Sequence, residues 1–144
     1  MNYNADKMRY QINRYAYMFI LLGMALSVVA LFRIITPPTV IPDFGIAIEI
    51  LINIILLLVT FLTAERCKAY QKTWGIVSFV IAGIHVFRIF FVPTELLSKG
   101  QITGFQFTMI VIFLLASAAF ITTGGVITLI KHSILAKHLK EIGE

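Results

Sequence analysis

Four long apolar runs divide the chain, and they constrain its fold more than any other feature. They lie at positions 15–35, 44–64, 73–93 and about 105–130. Each run is continuously apolar rather than alternating, which favours helices over the strands of a membrane barrel. About 20 helical residues cross a hydrocarbon core of about 30 Å, so each run is long enough to span a membrane. The sequence therefore predicts an all-α integral membrane protein with four transmembrane helices.

The composition excludes an ordinary water-soluble domain. Hydrophobic residues make up 59% of the 144 residues, charged residues make up 13%, and the mean hydropathy is +0.92. Because the four runs use almost all of the chain, we expect residues 1–144 to form a single transmembrane domain. We expect the first run to be a membrane span and not a signal peptide, because the polar leader before it is long and the run exceeds the usual h-region.

The connections between the runs are short, and their charges predict an orientation. Short links make sequential helices antiparallel neighbours, which predicts an antiparallel bundle. Nine of the twelve Lys and Arg residues flank one side of the spans. The positive-inside rule places that side in the cytoplasm, which predicts a multipass protein of the cell membrane with cytoplasmic N- and C-termini. Anionic lipid headgroups beside this side account for the net charge of +5, so we expect no nucleic-acid partner.

An internal similarity with a period of 55 residues relates the two halves of the chain. The Phe-Arg-Ile triplet at 32–34 recurs at 87–89, and the proline at 38 recurs at 93. Each unit would hold two spans, so both units would share one orientation in the membrane. The sequence therefore predicts a tandem repeat of two helix hairpins.

Small residues recur on the predicted helices at a spacing that places them on one face of each. Small side chains four residues apart let helix backbones approach closely. Such faces fit either packing between helices or the lining of a path for a solute or ion. The candidate helix-packing residues are Gly23, Ser27, Ser78, Ala82, Ser117 and Gly124.

A set of polar residues at the predicted outer ends of the spans is the strongest candidate for a functional site. Glu49 lies about 7–8 Å below the start of the second span and needs a partner, for which Arg33 ranks first and Arg88 second. Glutamate and histidine together could relay protons or form a vestibule for anions. The alternative is a structural ion pair with arginines that snorkel to the interface. The candidate cluster is Arg33, Glu49, Asn53, His85 and Arg88.

The sequence contains no familiar motif of catalysis or cofactor binding. It has no HExxH, GxSxG, P-loop or dinucleotide fingerprint, so we expect no enzymatic activity and no cofactor. The histidines differ too much in predicted depth to share a metal ion. The single cysteine, Cys67, excludes an intramolecular disulfide and is expected in the cytoplasmic loop, accessible to labelling from that side.

Two functions fit these features. The first is a noncatalytic subunit or assembly partner in a homo- or hetero-oligomeric membrane complex, which packs through its small-residue faces. The second is a small transporter or channel that uses the outer Arg/Glu/His cluster, and it would be oligomeric because four helices enclose little beyond packed side chains. An intramembrane enzyme ranks third. The expected partners are membrane lipids and further copies or subunits.

Overall fold

The computed structural model describes residues 3–143, which form six helices and no strand; positions 1, 2 and 144 lie outside the described residues. The helices are α1 (Tyr3–Met8), α2 (Arg14–Ile35), α3 (Phe44–Lys68), α4 (Lys72–Arg88), α5 (Val92–Ser98) and α6 (Gly104–Glu141). Four stretches of the described chain are long and apolar enough to cross a membrane, and α4 and α5 together form one of them. The prediction of an all-helical chain with four such helices is confirmed.

The longest helix, α6, organises the bundle. Both α2 and α4 pack along it, while α3 packs on α2 and touches α4 less closely. Fully buried side chains such as Ile34, Ile110 and Leu114 form the core near the α5 end of the bundle. A second buried cluster around Ile81 and Ile121 continues the core between α4 and α6. The contact between α3 and α4 is therefore the loosest among these neighbours.

Two of the helices begin at residues that cap their first turn. The Asp43 side chain accepts a hydrogen bond from the backbone N–H of Ile46 at 2.9 Å, at the start of α3. Thr103 and Gln106 form a reciprocal capping box at the start of α6. Both arrangements satisfy backbone N–H groups that have no partner within the first turn of a helix. Local sequence therefore sets these starts.

The third apolar run, predicted as a span at 73–93, lies within one candidate span, but two helices form it. α4 ends at Arg88, and α5 begins at Val92 after a short turn. Pro93 has no N–H to donate to the carbonyl of Ile89, four residues earlier, and its ring opposes a continuous helix. The Thr94 hydroxyl donates to that carbonyl instead, at 2.7 Å. This break places α5 against α3 and α6.

The fourth run extends beyond the span predicted at 105–130, because α6 continues unbroken to Glu141. Asn13 Nδ2 donates to the Thr128 hydroxyl at 3.2 Å and to the Cys67 carbonyl at 3.1 Å. Thr128 is therefore level with the start of α2 and the end of α3. At about 1.5 Å per residue, the rest of α6 extends about 20 Å past that level.

The N-terminal helix α1 packs on this extension. His138 is buried, and its Nε2 atom lies 3.3 Å from Asp6 Oδ1. His132 Nδ1 lies 2.8 Å from the carbonyl oxygen of Tyr70, in the connection between α3 and α4. Side-chain contacts thus hold the extension both to α1 and to the bundle. Together, α1 and residues 129–141 are named the terminal arm.

Candidate functional site

Glu49 on α3 and Arg88 on α4 form a buried ion pair. Arg88 Nε donates to Glu49 Oε1 at 3.1 Å, and Arg88 Nη2 donates to the same oxygen. The two side chains are only 3% and 5% exposed. Because both charges are removed from solvent, each depends on the other for compensation. The pair therefore joins the beginning of α3 to the end of α4.

Asn53 and His85 extend the pair into a cluster of four side chains. Asn53 Nδ2 donates to Glu49 Oε1 at 3.2 Å and to the backbone carbonyl of Glu49 at 3.0 Å. His85 Nδ1 lies 3.2 Å from Arg88 Nη1, and it must accept there because a guanidinium only donates. The proton of the neutral ring then sits on Nε2. That atom is buried and has no hydrogen-bond partner among the described residues.

Arg33 lies outside this cluster, so its ranking as the first partner of Glu49 is wrong. Its side chain is exposed and makes no ion pair or hydrogen bond within the part of the chain that the structure describes. It lines a separate pocket between the end of α2 and the start of α6. The Glu49 carboxylate turns instead toward α4 and Arg88. The short connection between α2 and α3 indicated a partner for Glu49 on α2. The rotation of α3 about its axis instead directs Glu49 to α4.

A cleft of about 1030 Å³ opens between α3 and α4 beside the ion pair. Its walls are mostly apolar, and Glu49 and Arg88 are among the lining residues. The main apolar lining residues are Ile48, Ile52, Val80, Ile84, Phe87, Phe90 and Phe91. Gly83 also lines the cleft, and a Cβ added there would meet nothing within 4 Å. The looseness of the contact between α3 and α4 is therefore explained by this open cleft between them.

The cleft is confined to the half of the bundle that contains α5. Its lining on α3 and α4 covers residues 45–52 and 80–88. In the middle of the bundle, Val59 of α3 and Val77 of α4 pack on the same buried cluster. Trp74 of α4 packs on the buried cluster of Ile20, Ala64 and Cys67, which includes two residues from the end of α3. The two helices therefore close below the cleft.

Charged and hydroxyl groups surround the α5 end of the cleft. Lys99 Nζ pairs with Glu95 Oε1 and lies 3.8 Å from Asp43 Oδ2. The hydrogen bond and charge of Glu95 raise the pKa of Lys99 above its ordinary value. The Thr94 and Ser98 hydroxyls both line the cleft. Every charged residue in the lining thus has an opposite charge beside it.

The small residues predicted for helix packing are buried within the chain. Ser117 Oγ donates to the Gly23 carbonyl at 2.6 Å, between α6 and α2. A Cβ on Gly124 would lie 3.0 Å from the Ala16 carbonyl oxygen. The buried set comprises Gly23, Ser27, Ser78, Ala82, Ser117 and Gly124. These faces therefore contribute to packing between helices of the same chain.

Asn13 and Cys67 are two buried residues that the sequence did not mark as buried. Asn13, which we did not single out, is fully buried, and its Oδ1 atom has no partner among the described residues. A polar residue just before an apolar run was the available signal, although its side chain does not cap α2. Cys67 lies in the last turn of α3 and is fully buried. The expectation of an accessible cysteine in a loop is therefore wrong.

Four helices that are long and apolar enough to cross a membrane are typical of one class, the multipass α-helical membrane proteins. Comparison with known proteins adds no family to this class, since no protein-family model, no curated protein and no solved structure matches the chain. Among the described residues, no group of three or more His, Cys, Asp or Glu is arranged to hold a metal ion. The chemistry of the site therefore follows from the residues described above.

Proposed function

We propose that this protein is a noncatalytic subunit or assembly partner in a homo- or hetero-oligomeric membrane complex. The terminal arm is the observation that carries the proposal. Residues 129–141 of α6 extend about 20 Å past the level at which α2, α3 and α6 meet, and α1 packs against α6. A helical extension of this kind offers a partner a surface outside the membrane.

The terminal arm and its border expose apolar side chains that lipid would not cover. Tyr10 is 83% exposed and Ile12 is 56% exposed, and Ile134 is also exposed. A pocket of about 430 Å³, lined by Ile12, Tyr70 and Leu135, lies between α1, α6 and the end of α3. Apolar surface facing water is typical of a site where another protein binds. We therefore place the partner's contact at this pocket.

The charges of the arm indicate what the partner's surface carries. Basic residues outnumber acidic ones in the terminal arm and the segments next to it; they include Lys7, Arg14, Lys131, Lys137 and Lys140. An acidic surface with apolar side chains at its centre would complement this pattern. The same basic residues support our proposal that both termini are cytoplasmic.

Replacing one exposed apolar residue of this patch tests the assembly role. We expect Ile12→Ser to weaken the complex about tenfold, because burial of an isoleucine side chain contributes roughly 1.5–3 kcal/mol. The measurement is the mass of the purified particle in mild detergent, compared with 16.2 kDa for one chain. Ile41→Ser, which changes a similarly exposed isoleucine in the connection between α2 and α3, is the control and should leave the mass unchanged. A wild-type protein that purifies as a stable monomer without a partner contradicts the proposal.

We also propose the antiparallel order of the spans and the repeat of two hairpins. The antiparallel order is supported by the contact of Glu49, early in α3, with Arg88 at the end of α4. It is likewise supported by the contact of Asn13, just before α2, with Cys67 near the end of α3. The repeat is supported by the sequence similarity alone, because Arg33 and Arg88 have different surroundings.

A small oligomeric transporter or channel is the second candidate. The observation that favours it is the buried His85 Nε2, which has no partner among the described residues and belongs to the Glu49–Arg88 cluster. Ionisable clusters within a membrane are common in proteins that move protons or ions. Flux across reconstituted vesicles separates the two candidates, because an assembly partner on its own would produce none.

A further inference from the structure

We infer that the cleft between α3 and α4 binds one neutral membrane amphiphile whose head group carries hydroxyl groups. This site is remote from the terminal arm and does not depend on the proposed function. The inference rests on the depth of the cleft, its apolar walls, the hydrogen bonding of Glu49 and the pairing of the nearby charges.

The depth of the cleft matches one leaflet of a bilayer. Residues 80–88 of α4, which line it, rise about 12 Å, and half of a hydrocarbon core is about 15 Å. A transmembrane helix of a partner would need a groove along the whole bundle, but α3 and α4 are closed below the cleft. The volume of about 1030 Å³ is at the upper end of ordinary small-molecule sites, which measure roughly 300–1,000 Å³. A ligand from a single leaflet fits this space.

The walls of the cleft are suited to hydrocarbon. Ile48 and Ile52 on α3 face Val80 and Ile84 on α4 across it. Where the cleft ends toward α5, Phe87, Phe90 and Phe91 are all more than half exposed. An acyl chain in the cleft would gain the contacts that the loose packing of α3 on α4 leaves unmade. The lower part of the cleft therefore takes the hydrocarbon portion of the ligand.

The polar end of the cleft has one carboxylate oxygen without a donor. Arg88 and Asn53 both donate to Glu49 Oε1, and no described residue donates to Oε2. Oε2 is also absent from the buried unpartnered atoms of the described chain, so it is not sealed in protein. Because Glu49 lines the cleft, a hydroxyl group of a bound ligand can donate to this oxygen.

The surrounding charges favour a neutral head group. Glu49 is paired with Arg88, and Glu95 is paired with Lys99. A charged head group would lose its hydration without gaining a free counter-charge. The hydroxyl oxygens of Thr94 and Ser98, which donate to backbone carbonyls, keep lone pairs that accept from a hydroxylated head group. The charges around the cleft therefore favour a ligand with a hydroxyl head group over one with a phosphate or an ammonium group.

A fluorescence titration tests the inference on the full chain. Trp74 is the single tryptophan, so Trp74→Phe with Phe87→Trp puts the only reporter at the cleft. The protein is reconstituted in phosphatidylcholine vesicles and titrated with a monoacylglycerol whose chain is brominated, which quenches tryptophan on contact. The fatty acid methyl ester with the same brominated chain lacks the hydroxyls and is the matched probe. We expect saturable quenching, with half-saturation at about tenfold lower mole fraction for the monoacylglycerol, because its hydroxyl bonds a charged group.

Filling the cleft should abolish the saturable quenching. Gly83→Phe, made in the reporter protein, projects a ring into space that contains no atom within 4 Å of the new Cβ. Leu58→Phe, on an exposed face of α3 away from the cleft, is the control and should leave the titration unchanged. Gly83→Leu provides a second filling variant, and circular dichroism establishes that each variant is folded.

Four results would overturn the inference. Quenching that rises linearly without saturation would show that the cleft has no site for an amphiphile. Equal half-saturation by the two probes would remove the role of the hydroxyl head group. Saturable quenching that persists in both folded Gly83 variants would place the occupant elsewhere. A partner polypeptide cross-linked at position 87 would show that the occupant is a protein.

Discussion

At the scale of single residues, the pairing of charges depends on which helix faces meet. Arg33 and Arg88 each lie between a phenylalanine and an isoleucine in the sequence. Arg88 is nevertheless buried in an ion pair with Glu49, while Arg33 is exposed. The local sequence is the same, so the difference comes from the packing of α4 against α3. The identity of the partner therefore could not be read from the triplet.

Replacing each of the two arginines in turn should change the free energy of unfolding by different amounts. We expect Arg88→Gln to lower the free energy of unfolding by about 3–5 kcal/mol, because it leaves Glu49 buried without a counter-charge. Arg33→Gln should change it by less than about 0.5 kcal/mol, as exposed substitutions usually do. The measurement is reversible unfolding in detergent. Equal effects of the two substitutions would contradict the assignment of Arg88 as the partner.

At the scale of the helices, two consecutive glycines let α6 approach both of its main neighbours. Gly124 faces α2, where a Cβ would lie 3.0 Å from the carbonyl oxygen of Ala16. Gly125 faces α4, where a Cβ would lie 2.9 Å from the carbonyl oxygen of Gly75. Because backbone atoms cannot move aside, these contacts require residues without a side chain. α6 therefore crosses both neighbours at close range in this region.

Alanine at two glycines should therefore have opposite effects. Gly125→Ala should destabilise the protein by about 1–3 kcal/mol, because it overpacks the contact of α6 with α4. Gly83→Ala should stabilise it by about 0.5–1 kcal/mol, because alanine favours the helix and the cleft has room for its Cβ. Unfolding in the same detergent measures both. Destabilisation by Gly83→Ala would argue against an open cleft at that position.

At the scale of the whole molecule, the two ends of the bundle differ. One end carries the terminal arm, where both described chain ends lie close together through the contact of His138 with Asp6. The other carries α5, the cleft and the buried ion pair. The basic residues concentrate at the first end. Our two proposals assign a protein-binding surface to the first end and a lipid-binding cleft to the other.

Cysteine labelling in vesicles tests the proposed orientation. Because Cys67 is buried, it is replaced by alanine, and single cysteines are introduced at exposed positions as Tyr10→Cys and Lys99→Cys. We expect a membrane-impermeant maleimide to label Tyr10→Cys only from the cytoplasmic side and Lys99→Cys only from the opposite side. Wild-type Cys67 should stay unlabelled until the protein is unfolded. The reverse pattern would contradict cytoplasmic termini.

The sequence by itself determined the helical class, the number of apolar spans and the polar positions within them. Those features depend on composition and on local physics, since apolar runs of this length form helices and Pro93 interrupts one of them wherever it packs. These polar positions include Glu49, Asn53, His85 and Arg88, which the structure joins in one cluster.

Only the tertiary structure decided the partner of Glu49, the position of Cys67 and the cleft between α3 and α4. Each of these depends on the rotation and separation of whole helices, which the packing of every contact sets together. The glycines of α6 draw α2 and α4 close, while α3 stays closer to α2 than to α4. The resulting gap lies beside a buried carboxylate, and no local pattern in the chain encodes that placement.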